Sequence, residues 1–193
     1  MGPSNPGDAI SILKFTALAV MHRGENMSQT TEQLFVRNMV SCGADFSNEG
    51  DAAGLPTPPN AGPPLGLMRA EDVPQSQIHM SHTWIHEVDE AHQWVSEHSH
   101  DYDEVLIWTG SDPANPEDLG AEIYLDIEGV RHTITTSGSV YIPAGVRHCP
   151  LGFTRVTRPF NFSALSLSPE YTSDENAELI AQMRLDTASA GTS

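Results

Sequence analysis

Two histidines and a glutamate stand close together in the segment HSHDYDE, residues 98–104. His98, His100 and Glu104 share parity, so on a β-strand all three side chains would point to one face. Burying such groups without partners would cost free energy, so they either face water or bind something. Two imidazoles and a carboxylate that reach one ion suit a divalent transition metal: Fe, Mn, Ni, Co, Zn or Cu.

A fourth ligand should come from elsewhere in the chain. The best candidate is His148, in the segment YIPAGVRHCPLGF at residues 141–153. It follows a Pro-x-Gly turn, which would end one strand and begin the next. Four ligands on a six-coordinate metal would leave two positions for water, dioxygen or substrate, which is typical of a catalytic site.

At these residues the sequence resembles the cupin superfamily, whose motifs read G-x5-H-x-H-x3,4-E-x6-G and G-x5-P-x-G-x2-H-x3-N. The matching residues here are His98-x-His100-x3-Glu104-x5-Gly110 and Gly138-x4-Pro143-x-Gly145-x2-His148. Both glycine spacings are one residue short, and Gly152 replaces the final asparagine. These departures concern turns and leave the candidate ligands intact.

The resemblance covers roughly residues 77–168. It implies an all-β fold, a small antiparallel jelly-roll β-barrel with a metal inside. The ligands that it implies are His98, His100, Glu104 and His148. Cupins with three histidines and one glutamate include dioxygenases, decarboxylases, lyases and isomerases, so the fold alone does not fix the reaction.

The elements that must position these residues are short strands. From residue 77 onward, strand-like segments recur about every ten residues with turn residues between them, as in a β-sandwich or barrel. The dipeptide Glu128-Gly129 between two alternating segments predicts a hairpin. No segment of helical period alternates with the strands, which disfavours a parallel α/β sheet. The tail SDENAELIAQMRL predicts a short C-terminal helix with Ser173 at its N-cap.

We expect three regions along the chain. Residues 1–66 form an irregular N-terminal extension that ends in a Pro/Gly-rich arm, residues 67–172 the cupin barrel, and residues 173–193 a helix and tail. The arm, residues 47–66, is either a linker or a segment that packs across the barrel or a partner subunit. Packing on a partner subunit would give a homodimer.

Composition limits the partners. The 193 residues carry a formal net charge of -17, which argues against nucleic acid and anionic membranes as partners but identifies no substrate; the small-molecule substrate is expected from the open metal positions alone. Two cysteines do not make a disulfide framework, and no stretch approaches the ~20 apolar residues of a membrane span. We therefore expect a cytoplasmic protein.

Other residues are candidates for supporting roles. Tyr102 is an even number of residues from the candidate ligands, so on a strand its side chain would point to the same face. His82 lies in a strand that should neighbour the site. Both are therefore candidate catalytic groups. His79 does not share the parity of His82, so the two should not both face inward. Cys149 follows His148 and on a strand would face away from the metal, which predicts a buried structural thiol.

The leading hypothesis is a metal-dependent cupin enzyme acting on a small oxygenated organic molecule through the open metal positions. A dioxygenase-like oxidoreductase with iron is slightly favoured, because a redox metal with two open positions suits that reaction. A non-redox lyase, decarboxylase or isomerase is the alternative among enzymes. A metal-dependent small-molecule binding protein is the alternative outside enzymes.

Overall fold

The computed structural model describes residues 31–46 and 56–174. Of the described residues, 31–37 belong to one compact unit, and 38–46 and 56–174 belong to another. In the described part of the larger unit, a 3-10 turn at Gly43–Phe46 precedes the strands. These are β1 (Leu65–Met68), β2 (His79–Ile85), β3 (His92–Val95), β4 (Glu104–Gly110), β5 (Asp118–Ile127), β6 (Val130–Thr136), β7 (Gly138–Ile142), β8 (His148–Val156) and β9 (Phe160–Ser166).

The strands form two antiparallel sheets. One has the order β1-β2-β9-β4-β7 and the other the order β3-β8-β5-β6. Strands β2 to β9 are therefore arranged as an eight-stranded jelly roll, with β1 added at one edge. The predicted all-β, antiparallel jelly-roll fold is confirmed.

The core lies between the two sheets. Burial alternates along β2 and β4, so every second side chain of each strand points inward. Leu106 and Phe162 from the first sheet join the same buried cluster as Ile123 and Phe153 from the second. This face-to-face packing fixes the positions of the strand ends from which the site is built.

The hairpin between β5 and β6 has the turn that the sequence predicts. Glu128 and Gly129 both have positive φ, 50° and 73°. Positive φ at both central residues is the requirement of the type I′ turn, whose twist matches that of the flanking strands. Arg131 Nε donates to Asp126 Oδ1 at 2.8 Å across the hairpin.

The described part of the N-terminal arm packs along this chain's own barrel. Gly62 N donates to the carbonyl oxygen of Trp84, and Ala61 forms an isolated bridge with Ile85 of β2. Earlier in the chain, Cys42 N donates to the carbonyl oxygen of Pro64 at 2.9 Å. Strand β1 includes residues on both sides of the boundary predicted at residue 66, and the division into regions stays a prediction.

The predicted C-terminal helix is not supported. Ser173 and Asp174 are not helical, and residues 175–193 lie outside the described part of the chain. The carboxylate of Asp174 instead accepts from the backbone N–H of Ser99 at 2.6 Å and from Arg147 Nη1 at 3.0 Å. Within the described ranges no helix is long and apolar enough to cross a membrane.

Candidate metal centre

Two of the four predicted ligands begin strands of different sheets. Glu104 is the first residue of β4, and His148 is the first residue of β8. His98 and His100 precede β4 in an irregular segment, so the prediction that they share one strand face with Glu104 is wrong. Their placement comes from a backbone bridge: His98 N donates to His148 O, and His148 N donates to His98 O, each at 3.0 Å.

The four side chains nevertheless lie close together, with His148 shared between two groups of potential ligand atoms. The ring centroids of His98 and His148 lie 4.3 Å apart, those of His98 and His100 4.8 Å, and those of His100 and His148 5.1 Å. Glu104 Oε2 lies 3.6 Å from His100 Nε2 and 3.3 Å from His148 Nε2. All four residues are buried. His100, Glu104 and His148 offer ligand atoms within 4.8 Å of one another, so this cluster could hold a metal ion.

Backbone carbonyls set which nitrogen of each histidine faces the cluster. The Nδ1 atoms of His98, His100 and His148 lie 2.8, 2.6 and 3.0 Å from the carbonyl oxygens of Ser96, Thr172 and Val146. A carbonyl oxygen only accepts, so each Nδ1 carries a proton and, in the neutral ring, each Nε2 carries a lone pair. This arrangement is the one that orients metal-binding histidines.

The lone pairs make the cluster fit a cation. His148 Nε2 is buried and, within the described residues, makes no hydrogen bond, although Glu104 Oε2 lies 3.3 Å away. An imidazole lone pair and a carboxylate oxygen repel each other unless a cation lies between them. A proton or a metal ion satisfies both, and a donor set of imidazole nitrogens and one carboxylate suits a divalent transition metal.

The charges of the cluster follow from burial and these contacts. Burial would raise the pKa of Glu104, but hydrogen bonds from His100 and His148, made when a proton lies between ring and carboxylate, outweigh burial and lower that pKa to about 2. Burial, with the charge of His148 second, lowers the pKa of His98 to about 4. At neutral pH the site therefore presents an ionised carboxylate and an uncharged His98, the forms that metal binding requires.

Cys149 lies beside the cluster and does not face away from it. Its side chain is buried in the wall of the cavity that includes His98 and His148, and these three residues form a second group with ligand atoms within 4.8 Å. The alternation argument fails because Cys149 has a φ of 66°, so the regular two-residue period of β8 is interrupted at its start.

Tyr102 packs behind the cluster. Its ring stacks on that of His100, with centroids 4.8 Å apart and planes 10° from parallel, and it is not in the cavity wall. The Tyr102 hydroxyl donates to the carbonyl oxygen of Thr172 at 2.7 Å, the same carbonyl that accepts from His100 Nδ1. Burial raises the pKa of Tyr102 to about 12, so its hydroxyl stays protonated at neutral pH. Tyr102 therefore positions His100.

His82 is not brought to the cluster. The side chains of Ser81 and Thr83 point into the cavity, whereas His82 occupies the opposite face of β2 beside Trp84. Its Nε2 lies 2.8 Å from Asn161 Nδ2. His79 has the inward parity and is buried, as the sequence predicts for these two histidines.

A cavity of about 390 Å³ adjoins the cluster. Phe46, Trp94 and Tyr171 border it, and none of the three is singled out by the sequence. Trp94 stands two residues after His92 on β3, an alternation that could have marked it as inward-facing. Phe46 and Tyr171 lie in irregular segments, where no periodicity predicts a direction.

Comparisons with known proteins concern the fold. No family model matches the chain, and no curated protein matches it. Solved structures that match include an oxalate oxidase in complex with glycolate (12% identity, TM-score 0.42) and a cupin superfamily protein from Desulfitobacterium hafniense (12%, 0.39). The KdgF protein from Halomonas sp. also matches (7%, 0.37).

These matches cover 61%, 60% and 57% of this chain and 55%, 86% and 82% of the respective structures. The match thus spans about half the length of the oxalate oxidase. Identities and TM-scores this low say nothing about the reaction of this chain. The strands of this chain have the jelly-roll order, and the three histidines and the glutamate that carry the resemblance of the motifs lie close together inside it.

Proposed function

We propose that the protein is a metal-dependent enzyme that acts on a small oxygenated organic molecule. The observation that supports this proposal is the convergence of His98, His100, Glu104 and His148 beside a cavity, with buried acceptor atoms facing one another. Four protein ligands leave coordination positions open to a substrate, which a closed structural site does not.

Iron is the favoured metal, although the donor set would also accept Mn, Ni, Zn, Co or Cu. A bound metal would polarise substrate oxygens as a Lewis acid and, if it is iron, would bring dioxygen and substrate together. A dioxygenase-like oxidoreductase is therefore the favoured form of the proposal.

The residues of the chain have separate tasks in this proposal. The carbonyls of Ser96, Thr172 and Val146 hold the protons of the three Nδ1 atoms, so that Nε2 is available for coordination. Glu104 contributes the negative charge that offsets part of the charge of a divalent cation. Tyr102 keeps the His100 ring in place through stacking, and His82 has no task at the metal.

The test is oxygen uptake by protein that has been stripped with a chelator and reloaded with Fe(II) without air. Catechol-like and diketone compounds serve as substrates, with His148→Ala as the ligand variant and His132→Ala, at an exposed position, as the matched control. Substrate-dependent oxygen uptake in the wild type and His132→Ala, and its loss in His148→Ala, would support the dioxygenase form. Turnover without oxygen uptake would favour the lyase or isomerase form. Binding without any turnover would contradict an enzyme and favour a binding protein.

A further inference from the structure

The cavity beside the metal cluster has mostly apolar walls. Trp94, Val95, Leu106, Leu151, Phe162 and Ala164 border it, together with the cluster residues His98, Glu104 and His148. Within the described ranges no lysine or arginine borders this cavity. Its volume of about 390 Å³ falls in the range of small-molecule sites, which is roughly 300–1,000 Å³.

We propose that the molecule bound here has two parts, a chelating pair of oxygens and an uncharged apolar body. This inference rests on the proposed function, since the oxygens would bind the metal. The apolar body would lie against Leu106 and Phe162, where removing hydrocarbon from water is the main source of affinity. A second negative charge on the ligand would meet no cationic side chain in the described wall and would lie near the buried carboxylate of Glu104.

The 3-10 turn at Gly43–Phe46 and the last residues of the N-terminal arm supply one side of this apolar site. Gly43, Phe46 and Pro64 border the cavity. The Phe46 ring packs edge-on against Tyr171, with centroids 4.7 Å apart, and Tyr171 in turn packs edge-on against His100 at 5.3 Å. A continuous row of rings therefore connects Phe46 to a candidate metal ligand, and we assign Phe46 as a residue that determines specificity.

The position of Phe46 is fixed by its neighbour Asp45. Asp45 Oδ2 lies 2.9 Å from His79 Nε2 and accepts from Arg69 Nη1 at 3.1 Å. Arg69 is itself buried and also donates to Asp72 at 2.7 Å. These charge-assisted hydrogen bonds tie the 3-10 turn to β2 and to the segment after β1, so Phe46 is a preorganised part of the wall.

The test is the affinity of hydroxamic acids that share one chelating head and differ in their tails. Protein loaded with Zn(II), a metal without redox chemistry, is titrated calorimetrically with acetohydroxamic acid, hexanohydroxamic acid and a chain of the same length that ends in a carboxylate. Burial of a methylene group corresponds to a gain of about fourfold in affinity. We therefore expect hexanohydroxamic acid to bind far more tightly than acetohydroxamic acid, and the carboxylate-ended chain to lose most of that gain.

Phe46→Ala should reduce the gain in affinity that the longer tail of hexanohydroxamic acid gives. It should not change the affinity for acetohydroxamic acid. Phe46→Leu should keep most of the gain, and Phe35→Ala, which removes an exposed phenylalanine, should keep all of it. If acetohydroxamic acid binds at the metal and hexanohydroxamic acid binds with equal affinity, the inference that the ligand has an apolar body is wrong. The proposed function would remain intact. A full gain in Phe46→Ala would overturn the assignment of Phe46. Failure of Zn-loaded protein to bind acetohydroxamic acid at all would overturn the proposed function, and this inference with it.

Discussion

His98 and His148 lie opposite each other in an antiparallel bridge, each donating its backbone N–H to the carbonyl oxygen of the other at 3.0 Å. Their rings lie 4.3 Å apart. The bridge joins the two parts of the chain that carry the motifs, and it uses only backbone atoms. The histidines are thus brought together by the fold before any ion binds, which reduces the entropic cost of forming the site.

The bridge predicts that His148→Ala folds. The substitution keeps both backbone hydrogen bonds and removes a buried Nε2 that has no hydrogen-bond partner in the described structure, which offsets part of the cost of the cavity it leaves. We expect metal-free His148→Ala to unfold cooperatively, with a free energy of unfolding within about 2 kcal/mol of metal-free wild type. Urea denaturation followed by circular dichroism measures this. A variant that is unfolded without denaturant would show that the imidazole, and not the bridge, holds these segments together.

The contacts of Tyr102 lead us to expect that metal affinity depends on this side chain, although it does not bind the metal. Tyr102→Phe keeps the stacking on His100 but loses both hydrogen bonds of the hydroxyl with Thr172, whose carbonyl orients His100 Nδ1. We expect Zn(II) affinity to fall about tenfold, the lower end of what the loss of an outer partner costs. Competition titration with a chromogenic chelator gives the affinity. The control, Tyr124→Phe on β5, should have the same Zn(II) affinity as wild type. Wild-type affinity in Tyr102→Phe as well would show that the Tyr102 hydroxyl has no role at the site.

Cys42 serves as a reporter of how the 3-10 turn at Gly43–Phe46 is held. It is buried, and burial together with the charge of Asp45 raises the pKa of its thiol to about 11, so at pH 8 it should react slowly with a disulfide reagent. Asp45→Asn removes the ion pairs with Arg69 and His79, which should loosen the 3-10 turn, and it removes the charge that raises the thiol pKa; both changes should speed the reaction at Cys42, by severalfold in all.

Two controls accompany the thiol measurement. Glu71→Gln removes an exposed partner of Arg69 and should leave the rate unchanged. Asp45→Asn combined with Cys42→Ser reports any contribution from Cys149. An unchanged rate in Asp45→Asn would show that this carboxylate does not hold the 3-10 turn on the barrel.

Gly152 explains one departure from the cupin motif. A Cβ at this position would overlap the Tyr124 hydroxyl and the backbone oxygen of His92, so the asparagine of the motif does not fit here. We expect Gly152→Ala to lower the free energy of unfolding by about 1–3 kcal/mol because of overpacking. Gly138→Ala is the matched control, since the nearest atom to its Cβ would be Trp108 Nε1 at the ordinary distance of 3.4 Å. Equal urea midpoints for both variants would mean that Tyr124 moves away without cost.

The sequence predicted the strands and the ligands but not how the ligands are held. The alternation of apolar and polar residues in strands and the turn at Glu128 and Gly129 are local signals. The structure has β2, β4 and the β5–β6 hairpin at the positions that these signals predict. The two-residue alternation of side chains predicts direction correctly within regular strands, as for His79 and His82. It fails where the backbone is irregular. Cys149, with its positive φ, and His98, before the start of β4, are the two cases.

The apolar wall could not be predicted because it depends on contacts between residues distant in sequence. Phe46 reaches the cavity through the pairing of Asp45 with Arg69 and His79, and the spacing of these residues in the sequence does not reveal that pairing. The hydrogen bond from Gly62 to Trp84 shows that the described part of the arm, residues 56–66, contacts this chain's own barrel, and packing of the arm on a partner subunit stays a prediction.

The central claim is that His98, His100, Glu104 and His148 bind one divalent transition metal ion, and its most direct test is the metal stoichiometry. Protein purified without added metal is analysed for its elements, and chelator-treated protein is titrated with Zn(II). We expect one high-affinity site per chain in wild type and His132→Ala, and its loss in His100→Ala, Glu104→Gln and His148→Ala. Absence of a site in wild type, or a site of unchanged affinity in all three ligand variants, would contradict the account.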